Sequence, residues 1–190
     1  MKGMKIKMIK LKFYGLGGQG IVTAAKMLSE AVSLHEGKYA VTVPAYGHER
    51  RGAPVNTSIM VDDEPVLVNS FVYEPDIVLV ADHTIIEKGV DISEGIHENS
   101  LLVLNTEDEN VLSTYKKYNF KEIYYVDGTK VALENIGKPI PNGSMLGALA
   151  ATGLAKIESV EKAIKTTFGE KAGDKNAKAA RDAYEKIKKM

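Results

Sequence analysis

The chain has no cysteine among its 190 residues. It therefore cannot hold an iron–sulfur cluster through thiolates, cannot act as a thiol enzyme and forms no disulfides, which suits a cytoplasmic protein. Net charge is lacking too. The 25 basic and 25 acidic residues balance, so no global charge argues for a nucleic acid or a membrane surface as partner. No apolar run approaches the length of a membrane span, and Met1 to Lys10 alternates lysine with apolar residues where a signal peptide needs a continuous apolar core. Catalytic signatures are missing as well. There is no His-Glu-x-x-His, no Ser-centred elbow, no P-loop lysine and no thiamine-type Gly-Asp-Gly magnesium motif, and His35, His83 and His97 are too scattered to suggest a metal. With no repeat, low-complexity tract or linker, residues 1–190 are expected to form one domain.

What is present begins with Tyr14 to Gly20, Tyr-Gly-Leu-Gly-Gly-Gln-Gly, between an alternating apolar run at Lys5 to Phe13 and a helical pattern starting near Gln19. A strand, a glycine turn and a helix start make an anion-binding corner, because the backbone approaches a ligand closely and the first helical amides point outward. Gly15, Gly17 and Gly20 match the dinucleotide fingerprint, and Gly17, Gly18, Gln19 and Gly20 are candidate ligand contacts. That fingerprint also expects an acidic residue ending the second strand. Here Tyr39 to Val43 runs into Pro44-Ala45-Tyr46, with Glu36 lying before it, so a nicotinamide cofactor is disfavoured.

The remaining pattern predicts an α/β fold. Ile21, Ala25, Leu28 and Val32 share a helical face that Gly37 closes, and Tyr39 to Val43 reads as a short central strand. Val55 to Val61 alternates, Asp62-Asp63-Glu64-Pro65 turns, and Val66 to Val68 is expected to return antiparallel, an inserted β-hairpin. Asp76 to Ala81, Leu101 to Leu104 and Glu122 to Val126 read as parallel strands. Helices are expected over Thr106 to Lys117, capped by Thr106, and over Lys130 to Asn135. Met145 to Leu154 should be buried, Glu158 to Phe168 amphipathic, and a last helix capped by Asp174. The expected architecture is a Rossmann-like three-layer domain with a mostly parallel sheet.

Between the second and third strands, Ala45 to Pro54 has no usable period and leaves the ligand-binding edge of the sheet. Its paired guanidinium groups, Arg50 and Arg51, suit phosphate or carboxylate, and Gly52 allows close backbone approach. An arginine that lies along a loop and another in a subunit salt bridge would explain them equally well. His48 and Glu49 are adjacent in sequence, so their side chains point apart and do not suggest acid–base work. Asn142 precedes the buried helix at another helix start, where capping alone is a sufficient role.

Several blocks together resemble one family. They are Gly15-x-Gly17-Gly18-Gln19-Gly20, Glu49-Arg50-Arg51-Gly52-Ala53-Pro54, Tyr73-Glu74-Pro75-Asp76, Asn142-x-x-Met145-Leu146-Gly147-Ala148, Ala151-Thr152-Gly153-Leu154 and Lys175-Asn176-Ala177-Lys178-Ala179-Ala180-Arg181. In this order they resemble the gamma subunit of 2-oxoacid:ferredoxin oxidoreductases. The Glu-Arg-Arg-Gly-Ala-Pro form is most similar to pyruvate synthase, or to a gamma chain shared with ketoisovalerate oxidoreductase. Tyr14 and Leu16 stand where related chains often carry His and Arg, and Gly143 where Thr is frequent.

The resemblance implies a multi-subunit enzyme that converts a 2-oxoacid and coenzyme A to acyl-CoA, carbon dioxide and reduced ferredoxin. It implies alpha, beta and delta partner chains, with thiamine diphosphate and Mg on the alpha and beta chains and iron–sulfur clusters on the beta and delta chains. This chain would then carry no catalytic acid, base or nucleophile. A free-standing acyl-CoA- or nucleotide-binding module, and a structural bridge between alpha and beta chains, are the alternatives.

Overall fold

The computed structural model describes residues 8–45 and 51–190. Its strands are β1 (Ile9–Leu16), β2 (Tyr39–Pro44), β3 (Pro54–Asp62), β4 (Ile77–Val80), β5 (Leu101–Asn105), β6 (Glu122–Val126) and β7 (Lys188–Lys189). They form one seven-stranded sheet in the order β2-β3-β1-β4-β5-β6-β7. Neighbours from β1 through β6 on that side are parallel, whereas β3 is antiparallel to both β1 and β2, and β7 to β6. The sheet is thus α/β and mostly of one direction, with β3 and β7 running against the rest. The helices are α1 (Ile21–Glu36), α2 (Glu109–Tyr115), α3 (Gly128–Ile136), α4 (Asn142–Ala150) and α5 (Ile157–Lys186).

The unbroken apolar run Ile77–Val80 is buried at every position, as a strand covered on both faces requires. Side-chain alternation then splits the core. Leu11, Phe13, Ile59 and Leu79 face α1, α4 and α5, while Val78, Val80, Leu102 and Leu104 face Ile85, Ile92 and Tyr115. At the start of β4, Asp76 fastens two strands: its carboxylate accepts from the Lys10 amide at 2.8 Å and lies 3.2 Å from His97 Nε2.

Several expectations need correction. The antiparallel insertion exists, but β3 pairs with β2 and β1, so neither edge is free for Val66–Val68, which form no strand. β2 is an edge strand, not a central one, and Tyr39 is 47% exposed. Asp108 caps α2 by accepting from the Asn110 and Val111 amides, while Thr106 accepts from the Asp108 amide upstream. Residue Asn142 is the first residue of α4 and donates no cap: its Oδ1 accepts from the Gly143 amide, and Pro141 holds the cap position.

Asp174 lies inside α5 and pairs with Lys165 at 2.8 Å. In a straight helix Lys165 and Gly173 would stand about 12 Å apart, yet a Cβ on Gly173 would lie 2.7 Å from the Lys165 Cα. Gly169, at φ 72° and ψ 177°, reverses the chain, so α5 is a helical hairpin. Arg181 locks its two arms by donating from Nε and Nη2 to the Glu161 carboxylate at 2.7 and 2.8 Å. The carboxylates of Glu161 and Glu158 hold that guanidinium more firmly protonated than usual. The alanines of the second arm, Ala177, Ala180 and Ala183, are buried and let it approach α4.

Candidate functional site

The parallel sheet turns outward in both directions from β1 and β4, and the crevice at such a reversal is where open α/β sheets receive ligands. The glycine turn sits there. Gly17 donates its amide to the Ala53 carbonyl at 2.8 Å, and Gly52 donates back to the Gly17 carbonyl at 3.0 Å. These two bonds carry the β1–β3 ladder past Leu16 and Pro54, so the turn is tied to Gly52 and Ala53. A Cβ on Gly18 (φ 95°) would lie 3.7 Å from the Arg51 Cγ, which places that arginine's stem across the turn. Arg50, with His48 and Glu49, lies outside the described residues.

Gly20 at φ 74° is the N-cap of α1, and among the described residues no side chain caps that helix. Its first-turn amides therefore stay open to a ligand. Asn142 reaches over from α4, with its Nδ2 against the place where a Gly20 Cβ would stand. Between them opens a cleft of about 410 Å³ lined by Gly18, Gly20, Asn142, Phe168, Lys138 and Lys175, among others. Its floor is apolar and two lysines stand at its rim, a combination suited to an anionic group on an apolar tail.

Gln19 does something different from its neighbours. Its Oε1 accepts from the Leu16 amide at 2.8 Å and its Nε2 donates to Asp82 Oδ2 at 2.7 Å. Both ends of the side chain are engaged within the protein, and its backbone amide donates to the Leu16 carbonyl at 3.1 Å, so Gln19 shapes the turn and offers a ligand neither side chain nor amide. Asp82, at the end of β4, also accepts from the Thr84 amide and hydroxyl at 3.0 and 2.6 Å. Burial alone would raise its pKa, but the hydrogen bonds from Thr84 and Gln19 outweigh burial and hold it below the usual carboxylate value. The Gln19–Asp82 contact thus ties the glycine turn to the neighbouring strand end.

A family model described as pyruvate ferredoxin/flavodoxin oxidoreductase matches residues 10–186. The chain belongs to that family. The pyruvate/ketoisovalerate oxidoreductases common subunit gamma of Pyrococcus abyssi is 50% identical over 182 residues, covering 94% of this chain and 97% of the relative. Pyruvate synthase subunit PorC of Methanothermobacter marburgensis is 47% identical over 182 residues, covering 95% and 98%. The crystal structure of pyruvate oxidoreductase subunit PORC from Thermotoga maritima matches with a TM-score of 0.82 at 36% identity, over 97% of this chain and 99% of that one. Because the likeness runs nearly end to end, this is a gamma subunit of a pyruvate/2-oxoacid ferredoxin oxidoreductase and hence part of an oxidoreductase.

In this gamma subunit three residues at or beside the candidate site were not singled out from the sequence. Asp82 was legible only as a residue at a strand end, and its partnership with Gln19 spans 63 positions of chain. Lys138, just past the end of α3, carries no local signal, and Lys175, inside α5, was met only as part of the Lys175 to Arg181 block, since exposed lysines are common. The Gly20–Asn142 contact yields a test. Gly20→Ala is expected to cost about 1 kcal/mol more than Gly52→Ala. Both glycines have positive φ, but among the described residues a Cβ meets nothing within 4 Å at Gly52 and meets Asn142 at Gly20. Adding Asn142→Ala should remove that difference in denaturant melts; a difference that persists would mean Asn142 is not the obstacle.

Proposed function

We propose that this gamma subunit lends its glycine corner to coenzyme A within a holoenzyme of alpha, beta and delta chains. The holoenzyme oxidises a 2-oxoacid with release of carbon dioxide, forms acyl-CoA and passes electrons to ferredoxin. The observation that carries the reading is the convergence of the α1 N-terminus, Lys138 and Lys175 on one cleft with an apolar floor, with the Arg51 stem beside Gly18 at its edge. Amides and cationic side chains suit the phosphates of coenzyme A, and Ile136, Ile140 and Phe168 suit its pantetheine arm.

Thiamine diphosphate, Mg and the iron–sulfur clusters belong to the partner chains in this reading. Its support is the absence of cysteine and, among the described residues, of any group of three or more His, Cys, Asp or Glu side chains that could hold a metal. Thiamine diphosphate would supply the decarboxylating chemistry from its own chain. What this chain's residues do is bind and orient: Arg51 and the lysines fix the phosphates, and the Gln19–Asp82 tie keeps the α1 amides aimed at them. A cytoplasmic location fits the missing disulfides and, among the described residues, the lack of a helix long and apolar enough to cross a membrane.

The test uses the co-expressed holoenzyme. Arg51→Ala and Lys175→Ala are each expected to raise the apparent KM of coenzyme A by about tenfold, the size of one charge-assisted hydrogen bond, with kcat at saturation little changed. Arg51→Lys should recover only part of the loss, because an ammonium lacks the bidentate fork. An unchanged KM in both alanine variants, with assembly intact, defeats this assignment.

A further inference from the structure

Four of the large apolar side chains left exposed among the described residues fall within one short stretch: Leu67 at 92%, Val68 at 51%, Phe71 at 44% and Tyr73 at 66%. The stretch has no helix or strand of its own, yet it is not loosely held. Val72, in its midst, is buried, and its amide donates to the Ser58 hydroxyl at 2.9 Å on the fully buried middle of β3. One residue on, the Tyr73 carbonyl presses against Gly95, where any Cβ would collide with it. The arm is therefore pinned to the sheet from beneath while its larger side chains face away from the core.

Between the arm and the sheet lies a groove of about 400 Å³ lined by Met8, Met60, Val68, Phe71, Val72 and Tyr73, with Lys10 and Glu74 at its edge. Holding large apolar side chains in water on a rigid arm costs free energy that the isolated chain does not recover. The flanks of the arm are acidic: Asp62, Asp63 and Glu64 lead into it and Glu74 leads out, with Asp63 and Glu74 exposed. An apolar centre with a rim that is mostly acidic, Lys10 being the exception, calls for an apolar partner face edged mainly by the opposite sign.

We propose that the Leu67–Tyr73 arm docks a partner subunit of the same holoenzyme, through a face that is apolar at its centre and edged by lysine or arginine. The proposal rests on the assignment of this chain as a gamma subunit. An apolar, weakly directional contact also suits a subunit shared between two enzymes, as the Pyrococcus relative is by name, since such a contact accepts more than one partner surface.

The experiment co-expresses the full chain with its partner subunits and measures the fraction that co-elutes in size-exclusion chromatography. Leu67→Lys combined with Phe71→Lys is expected to lower that fraction at least tenfold, while the melting profile of the chain alone stays as in wild type because both side chains are exposed. Leu67→Met with Phe71→Leu should assemble normally. Glu74→Lys should weaken assembly in low salt and lose its effect in high salt. If the double lysine variant assembles like wild type, the arm is not the docking surface and the proposal falls. It falls equally if the isolated wild-type chain dimerises and the lysine variant does not, since a second copy is then the occupant. A wild-type chain that fails to co-elute with those subunits overturns the gamma-subunit assignment beneath it.

Discussion

Gly147→Ala is expected to destabilise the chain by about 3 kcal/mol, although alanine is the better helix former by about 1 kcal/mol. Gly147 lies in α4, whose every residue is buried, and a Cβ there would run into the Ala180 carbonyl and Cα of the second arm of α5. Those are backbone atoms and cannot rotate aside. The helices must separate, and the surrounding alanines lose the contacts that their small size made possible. For a chain of this length the melting midpoint should fall by about 6–12 °C. Gly153→Ala is the control, because its φ of 87° imposes strain but among the described residues a Cβ there meets nothing within 4 Å. Thermal melts of both variants decide the matter: a Gly147→Ala chain that melts no lower than Gly153→Ala would show that the α4–α5 seam tolerates a methyl group.

Gln19→Glu should reverse the pH response of the glycine turn. In wild type the depressed pKa of Asp82 means that its stabilisation is present above the unfolded value and is lost as pH falls through the folded one. The glutamate would put a second carboxylate against Asp82, at a contact that is 2.7 Å in wild type. Two carboxylates so close do not both ionise without cost, so the pair would take up a proton with a raised apparent pKa. A raised acid pKa works the other way: the variant regains stability as the pair protonates and is penalised once pH rises above it. At neutral pH the loss is expected to be about 1.5–3 kcal/mol, the range for a hydrogen bond to a charged group. Denaturant melts from pH 4 to pH 8 should therefore show the two proteins converging in acid and diverging toward neutrality. Parallel curves would mean that Gln19 and Asp82 do not depend on each other.

The sequence was most informative where one local rule decided the outcome. Ile77–Val80 and Glu122–Val126 were legible because an apolar run bounded by turn residues has few alternatives, and Gly37 because a helix end selects a positive φ. Pairing was less legible. Val66–Val68 has the composition of a strand, but a strand needs a free edge, and β1 and β2 already occupy both sides of β3. The site shows the same division. Gly17, Gly18, Gly20, Gly52, Arg51 and Asn142 were found as separate signals, and the fold brings them together around α1 and α4. Asp82 escaped because its value lies in a contact made across the sheet, and Lys138 and Lys175 because no local pattern separates them from solvated lysines.

The order of the strands also bears on how the corner comes into being. β1 is made first, but its hydrogen-bonded neighbours are β3 and β4, the second of which ends at Val80. Until both have been joined to it, the glycine turn lacks the Ala53 and Gly52 bonds on one side and Asp82 on the other. Pairings between such distant segments form slowly, after the loop entropy between them has been overcome. The glycine corner is therefore a late product of folding, and a nascent or partly refolded chain would hold its first helix before β1 and the turn were in place.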